Sequence, residues 1–326
     1  MFKLNPDGSL KGKASSIPAG EHSRNPQGSV RSLDGKWLYV ADWGSGSVTG
    51  YSIRQDGRLG DPKTVKGASP APVTPSSIAI SPAGRHLYTA NYSNGRAGTV
   101  SHFRLTDDGT PQAVSTTLTH GRGTTGLAVS PDGHTLITSN ATSGDVSSYS
   151  VGEDGTLKWV MTLPTGRGAF FPAITPDSHS AVITNSKANT LSLLKISASS
   201  RLSLVNSIRS QGPEPRGIVL NRSGSLAYVA NFNNGTGPGS VSTVRVDLKG
   251  IQHEGKAVAT GSNGTEGIAL AQDGGTVYAA NFNKNGKGSV TTFPLDSKGA
   301  LGQPRPPVAT GGRQPDLTSI TVPYSR

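Results

Sequence analysis

The chain has 326 residues, which suits one large repeat domain, and its 43 glycines and 22 prolines suit many short strands joined by turns. It has no cysteine, which excludes disulfides, thiolate ligands and a cysteine nucleophile. The net charge of +11 is scattered without a basic run or an RNA-type stacking motif, which sets nucleic-acid binding aside, and no stretch approaches the roughly 18 apolar residues of a membrane span.

From the N-terminus, Phe2-Lys3-Leu4-Asn5-Pro6-Asp7-Gly8 reads as the end of a strand followed by a turn. It matches Phe103-Arg104-Leu105-Thr106-Asp107-Asp108-Gly109 further on. A unit then recurs six times. Its second strand ends at Asp42, Asn91, Asn140, Asn185, Asn231 and Asn281, forty-five to fifty residues apart. Seven residues before each stands a turn residue: Gly35, Gly84, Gly133, Ser178, Gly224 and Gly274. A fixed period of this size with a fixed turn-to-strand offset is the signature of a β-propeller blade.

Within the second unit, Ser76–Ser81 is the innermost strand, Arg85–Asn91 the second and Thr99–Leu105 the third, and a weaker outer strand follows Gly109. The third-strand pair Val100/Phe103 recurs as Val48/Tyr51, Val146/Tyr149, Leu191/Leu194, Val241/Val244 and Val290/Phe293. At the C-terminus, Ser319–Val322 matches the innermost strand Ser77–Ile80. The reading is an all-β, seven-bladed propeller in a single domain. Six blades span about 26–74, 75–123, 124–168, 169–214, 215–264 and 265–316. A seventh is closed by both termini, 1–25 with 317–326, and its second strand is expected upstream of Met1. Six blades with spare terminal strands is the alternative. The compartment stays open: extracytoplasmic if a signal peptide precedes Met1, otherwise cytoplasmic.

The repeated Ser-Pro-Asp-Gly-x-x-Leu-Tyr-Val-x-Asn pattern, seen in Ser130-Pro131-Asp132-Gly133 and Leu38-Tyr39-Val40-Ala41-Asp42, resembles the lactonase family of seven-bladed propellers. So does the third-strand ending Asp56-Gly57-Arg58-Leu59. That family includes propeller-type 6-phosphogluconolactonases and carboxymuconate-lactonizing enzymes, and the YVTN-repeat proteins share the strand. The resemblance implies lactone hydrolysis without a cofactor, on a small-molecule lactone or carbohydrate acid. Of the family's presumed catalytic His, Arg and Glu, Pro215-Arg216-Gly217 matches the Arg motif. The corresponding His and Glu positions read Thr124-Thr125, Phe170-Phe171-Pro172 and Asn185-Ser186.

What repeats in every blade is scaffold, so a site is sought where one blade departs. Eight positions before each turn residue the inner-strand ring reads Gln27, Ser76, Thr125, Phe170, Arg216 and Glu266, with Thr318 for the terminal strand. Two positions earlier it reads Asn25, Thr74, Gly123, Gly168, Glu214, Gly264 and Asp316. Charge therefore gathers in one sector, with Glu266 as the expected general base and Arg216 as oxyanion stabiliser. Glu214, Asp316, Arg122, Arg167, Arg24, His120 and Phe170 are expected to bind substrate, and Arg313 comes from the same class of loops. A plain salt bridge tying two blades is the alternative for Arg216 and Glu266.

Trp43, Tyr92, Phe232 and Phe282 could form an aromatic rim. The repeated Asn residues are read as strand-end structure, His86, His134 and His179 as turn surface. Arg31, on an inner strand, implies either a register shift or a charge in the channel. No metal constellation or phosphate-binding loop is visible. A monomer is expected. A non-catalytic propeller binding a carbohydrate or protein partner, and a cyclase or isomerase on the same fold, remain the competing functions.

Overall fold

A computed structural model describes residues 2–12, 25–67, 74–284 and 286–313. Among these, the chain is all-β apart from two single-turn 3-10 segments, Ser93–Gly95 and Asn233–Gly235. Six antiparallel sheets follow one another as propeller blades. Blade 3 is the simplest, with Thr124–Val129 innermost, then Thr135–Asn140, Asp145–Val151 and Leu157–Pro164 outermost. Blade 5 differs by splitting its outer strand into Gly250–His253 and Val258–Asn263, both paired with Pro238–Asp247.

The turn between first and second strands explains the repeat. Gly35, Gly84, Gly133, Gly224 and Gly274 all have φ between 70° and 79°, a region costly for a side chain. Ser178 takes the same role at φ 64°. Its hydroxyl accepts the Asp132 N–H at 3.0 Å, so the strained residue ties the turn of blade 4 to that of blade 3. Asp132 in turn accepts the His134 N–H at 3.0 Å, the self-capping that favours Asp in such turns.

Third strands are buried on both faces because each blade is sandwiched by its neighbours. Val100, Phe103, Val146, Tyr149, Leu191, Leu194, Val241, Val244 and Phe293 are all at 0–1% exposure. Core clusters run across blade boundaries: Ile137 and Val146 of blade 3 pack with Ala181, Ile183 and Leu194 of blade 4. Inner strands touch so closely that a Cβ on Gly126 would lie 2.3 Å from the Phe170 carbonyl oxygen.

Tyrosines latch successive blades. The hydroxyls of Tyr39, Tyr88 and Tyr228 each donate to a turn carbonyl of the next blade, at Gly109, Gly155 and Gly299, over 2.7–3.0 Å. Tyr278 of blade 6 makes the same bond, 2.8 Å, to the carbonyl of Gly8. Gly8 turns the N-terminal hairpin Lys3–Leu4/Leu10–Lys11. Phe2 and Leu10 pack there on Ala271, Tyr278 and Val290. The expected innermost strand Ser319–Val322 lies outside the described residues.

Two expectations change. Arg31 keeps blade register, pairing with Leu38 as Ile80 pairs with Leu87. Its guanidinium donates to the Gly35 carbonyl of its own turn at 2.9 Å, so no register shift is needed. His86 is not turn surface: its Nδ1 meets His102 Nε2 at 3.0 Å. His134 and His179 are exposed, as expected.

Candidate functional site

The second residues of the inner strands surround a cavity of about 410 Å³. Gln27, Ser76, Thr125, Phe170, Arg216 and Glu266 all line it, one from each blade. Their convergence follows from the shared strand register: the same offset from the same turn brings each blade to the same height on the axis. Thr318 lies outside the described residues. Trp43, Tyr92, Ser186 and Lys187, from the loops after the second strands, complete the wall with Asn25, Ala141, Thr142 and Glu214.

Most of the ring's polarity is used in holding blades together. The Ser76 hydroxyl donates to the Thr125 carbonyl at 2.8 Å, and Thr125 donates to the Phe170 carbonyl at 2.9 Å. Phe170 has no hydroxyl, and Thr184 donates instead to the Arg216 carbonyl at 2.8 Å. At the next boundary the link is an ion pair, with Arg216 Nη1 donating to Glu266 Oε1. Glu266 is 3% exposed, while the Arg216 side chain keeps 23% of its surface accessible. The pair is thus both a blade-to-blade contact and, with Lys187 and Glu214, part of the charged lining of the cavity.

Arg216 lies over two aromatic rings. Its Cζ lies 3.5 Å from the centroid of Phe232 and 5.0 Å from that of Phe170. A guanidinium stacked this way keeps its charge in a site short of water, and its N–H groups project from the edge. Nη1 serves Glu266, and Nε is buried with no hydrogen-bond partner among the described residues. The arrangement is a partly exposed, ring-stacked cation whose hydrogen-bonding edge is only partly used, beside a buried carboxylate.

Glu214 stands at φ 51°, where the matching residues Gly123, Gly168 and Gly264 are glycines with φ of 63–72°. Holding a glutamate there costs on the order of 1 kcal/mol. Its carboxylate lines the cavity and accepts the Asn234 N–H at 2.6 Å, which fixes the following loop. On the opposite wall Trp43 and Tyr92 lie 5.3 Å apart, ring to ring.

Other expected residues fall elsewhere. His120 and Arg122 are exposed and do not line the cavity. The His120 ring packs tilted against Trp159 of the blade 3 outer strand, with centroids 4.5 Å apart. Arg167 is likewise exposed and outside the lining. Arg24 and Asp316, and the side chain of Arg313, lie outside the described residues. Asn91, Asn140, Asn185, Asn231 and Asn281 are fully buried, and each Nδ2 donates to its own third strand. Asp42 replaces that Asn in blade 1 and accepts the Thr49 hydroxyl at 2.6 Å. Of the rim aromatics, Trp43 and Tyr92 face the cavity, whereas Phe232 lies behind Arg216 and packs on Phe282. Lys187 was not anticipated, since a single loop lysine gives no signal in sequence. Among the described residues no group of three or more His, Asp or Glu side chains could hold a metal ion, and no helix is long and apolar enough to cross a membrane.

The family model described as "Lactonase, 7-bladed beta-propeller" matches residues 64–170. No curated protein matches the chain. Among solved structures, the periplasmic gluconolactonase of Pseudomonas aeruginosa is similar at 21% identity, with 95% of this chain and 92% of that one covered and a TM-score of 0.78. A proposed 6-phosphogluconolactonase from Bacteroides fragilis matches at 17% identity over 97% and 91% of the two chains, TM-score 0.74. Hydrazine synthase of Kuenenia stuttgartiensis shares the fold at 18% identity over 94% and 92%, TM-score 0.67, so the scaffold alone does not select a chemistry. The sequence match over residues 64–170 and the fold shared along the chain together support a lactonase-family propeller.

Proposed function

We propose that the protein hydrolyses a lactone of a sugar acid in the inner-ring cavity. The observation that carries this reading is the Arg216–Glu266 pair, a partly exposed cation and a buried carboxylate that share one wall of the cavity. The step balances simply. Glu266 takes a proton from a water whose oxygen bonds to the lactone carbonyl carbon. Arg216 N–H groups hold the oxyanion that forms. The ring C–O bond then breaks, and the leaving alkoxide takes the proton from Glu266. The product is the open-chain hydroxy acid. Trp43 and Tyr92 offer an apolar face for the sugar ring, and Lys187 offers a charge for a phosphate or carboxylate on it.

One observation favours a second reading, a non-catalytic propeller that binds its ligand through this face. The Arg216–Glu266 pair occupies the boundary position where Ser76, Thr125 and Thr184 serve as blade links, and it could do the same. Proton release from gluconolactone and 6-phosphogluconolactone, followed with a pH indicator, separates the two. Hydrolysis by the wild type that falls at least ~100-fold in Arg216→Ala supports the enzyme. Absence of hydrolysis on either lactone favours the binding protein.

For the architecture, we propose that the N-terminal hairpin is the outer half of a seventh blade. The Tyr278–Gly8 bond supports this, because it repeats the latch used between the blades before it.

A further inference from the structure

We propose that Phe232 is a positioning residue for Arg216, setting the plane of its guanidinium so that the edge faces Glu266 and the substrate carbonyl. This inference rests on the reading of Arg216 as the oxyanion-stabilising group. Phe232 does not line the cavity and would not touch substrate. It follows the second strand of blade 5, where the matching residues of blades 1 to 4 are Trp43, Tyr92, Ala141 and Ser186. Those four line the cavity, whereas Phe232 has turned beneath the arginine.

Its own placement is tightly held. Phe282, the matching residue of blade 6, packs edge-on against it at 5.7 Å and 61°. The loop closes over both rings, for a Cβ on Gly235 would lie 2.8 Å from Phe232 Cζ and 3.3 Å from Phe282 Cδ1. Phe232 is 6% exposed, so the ring has little room to tilt.

The stack decides what Arg216 can do. An arginine side chain on its own has several rotatable bonds and loses its aim readily. With Phe232 at 3.5 Å on one face, rotation of the guanidinium out of its plane would strike the ring. Phe170 adds a second ring, its centroid 5.0 Å from Arg216 Cζ. With that face covered, hydrogen bonding is left to the edge of the group: Nη1 reaches Glu266, and Nε sits buried without a partner among the described residues. Stacking of this kind, partly shielded from solvent, is worth about one order of magnitude in an equilibrium or rate.

The test uses Phe232→Leu, which keeps an apolar side chain but removes the ring face, and Phe232→Tyr as the conservative rescue. Phe232→Met replaces the leucine variant should that one melt more than ~5 °C below wild type. The first readout is independent of catalysis. The buried Arg216 Nε–H gives a proton–nitrogen NMR signal shifted by the ring current of Phe232, identified by its loss in Arg216→Lys. The signal is expected to move toward the ordinary arginine position in Phe232→Leu and to stay in Phe232→Tyr. The second readout is lactone hydrolysis, where kcat falls about ten-fold in Phe232→Leu with KM within about two-fold, and recovers in Phe232→Tyr. An unmoved nitrogen signal, or a moved signal with unchanged kcat, overturns the proposal. If the wild type hydrolyses no lactone, the proposed function falls separately; the nitrogen signal then still decides whether Phe232 stacks on Arg216, and an unmoved signal overturns the proposal.

Discussion

Acid should loosen the seam between blades 2 and 3 before it affects the rest of the fold. His102 is 1% exposed and shares a 3.0 Å hydrogen bond with His86. The Tyr88 ring stacks on it, and the Gly155 turn of blade 3 closes over both imidazoles. Burial first, and the neighbouring His86 second, push the His102 pKa down to about 4, while Asp154 pulls the other way. His86 is lowered as well, mainly by burial, with Arg104 and Arg85 adding to the effect and Asp154 opposing it. Protonated His102 would also present an Nδ1–H for which the described residues supply no acceptor. The native state thus binds fewer protons than the unfolded chain. The stability this gives is complete above pH 6.5 and is lost as pH falls from 6.5 toward about 4. Between pH 7 and pH 5 the His102 shift corresponds to at most ~2 kcal/mol, and solvent near the exposed Asp154 turn brings this to about 1 kcal/mol. In a domain of 326 residues that is a fall of ~1–2 °C in melting temperature. Thermal melts from pH 7 to pH 5 should show it in the wild type and show less than half of it in His102→Gln. The carboxylates held below 3.8, such as Asp132 and Asp177, titrate mainly at lower pH and do not confuse this window. Equal slopes for wild type and variant would refute the reasoning.

Two further substitutions probe the scaffold. Asn140→Ala removes a fully buried amide that accepts from Thr124 at 2.7 Å and donates to Asp145 and Ser147 at 2.7 and 3.1 Å. Stranding those partners should cost about 2–3 kcal/mol in urea unfolding, and a loss under ~0.5 kcal/mol would mean that water replaces the amide freely. Tyr278→Phe deletes the bond to Gly8 and should cost ~1 kcal/mol. Hydrogen exchange should then quicken selectively in Lys3–Lys11, and unchanged protection there would show that apolar packing alone docks the hairpin.

The repeat made the ring legible. Gln27, Ser76, Thr125, Phe170, Arg216 and Glu266 were placed together by one offset because strand register transmits a sequence position to a height on the axis. That logic weakens in loops. Nothing in the sequence distinguishes Phe232, turned under Arg216, from Trp43, turned into the cavity, since both follow a second strand. Lys187 was missed for the same reason. His120 looked well placed by its distance along the chain, yet its backbone at φ 57° sends the ring outward onto Trp159. His102 gave no sign at all, because its partner His86 is a cross-strand neighbour of the third strand and the pairing depends on the Gly155 turn of the next blade.

The central claim is that the Arg216–Glu266 pair acts on a substrate and is more than a link between blades. It is tested most directly by the lactone hydrolysis rate of Glu266→Gln, measured beside its melting temperature. Glutamine keeps an acceptor for Arg216 Nη1 and cannot take a proton from water. The expected result is a folded variant, destabilised by about 1–3 kcal/mol, whose kcat is at least ~100-fold below wild type. A variant that loses the same stability and hydrolyses lactone at the wild-type rate would contradict it.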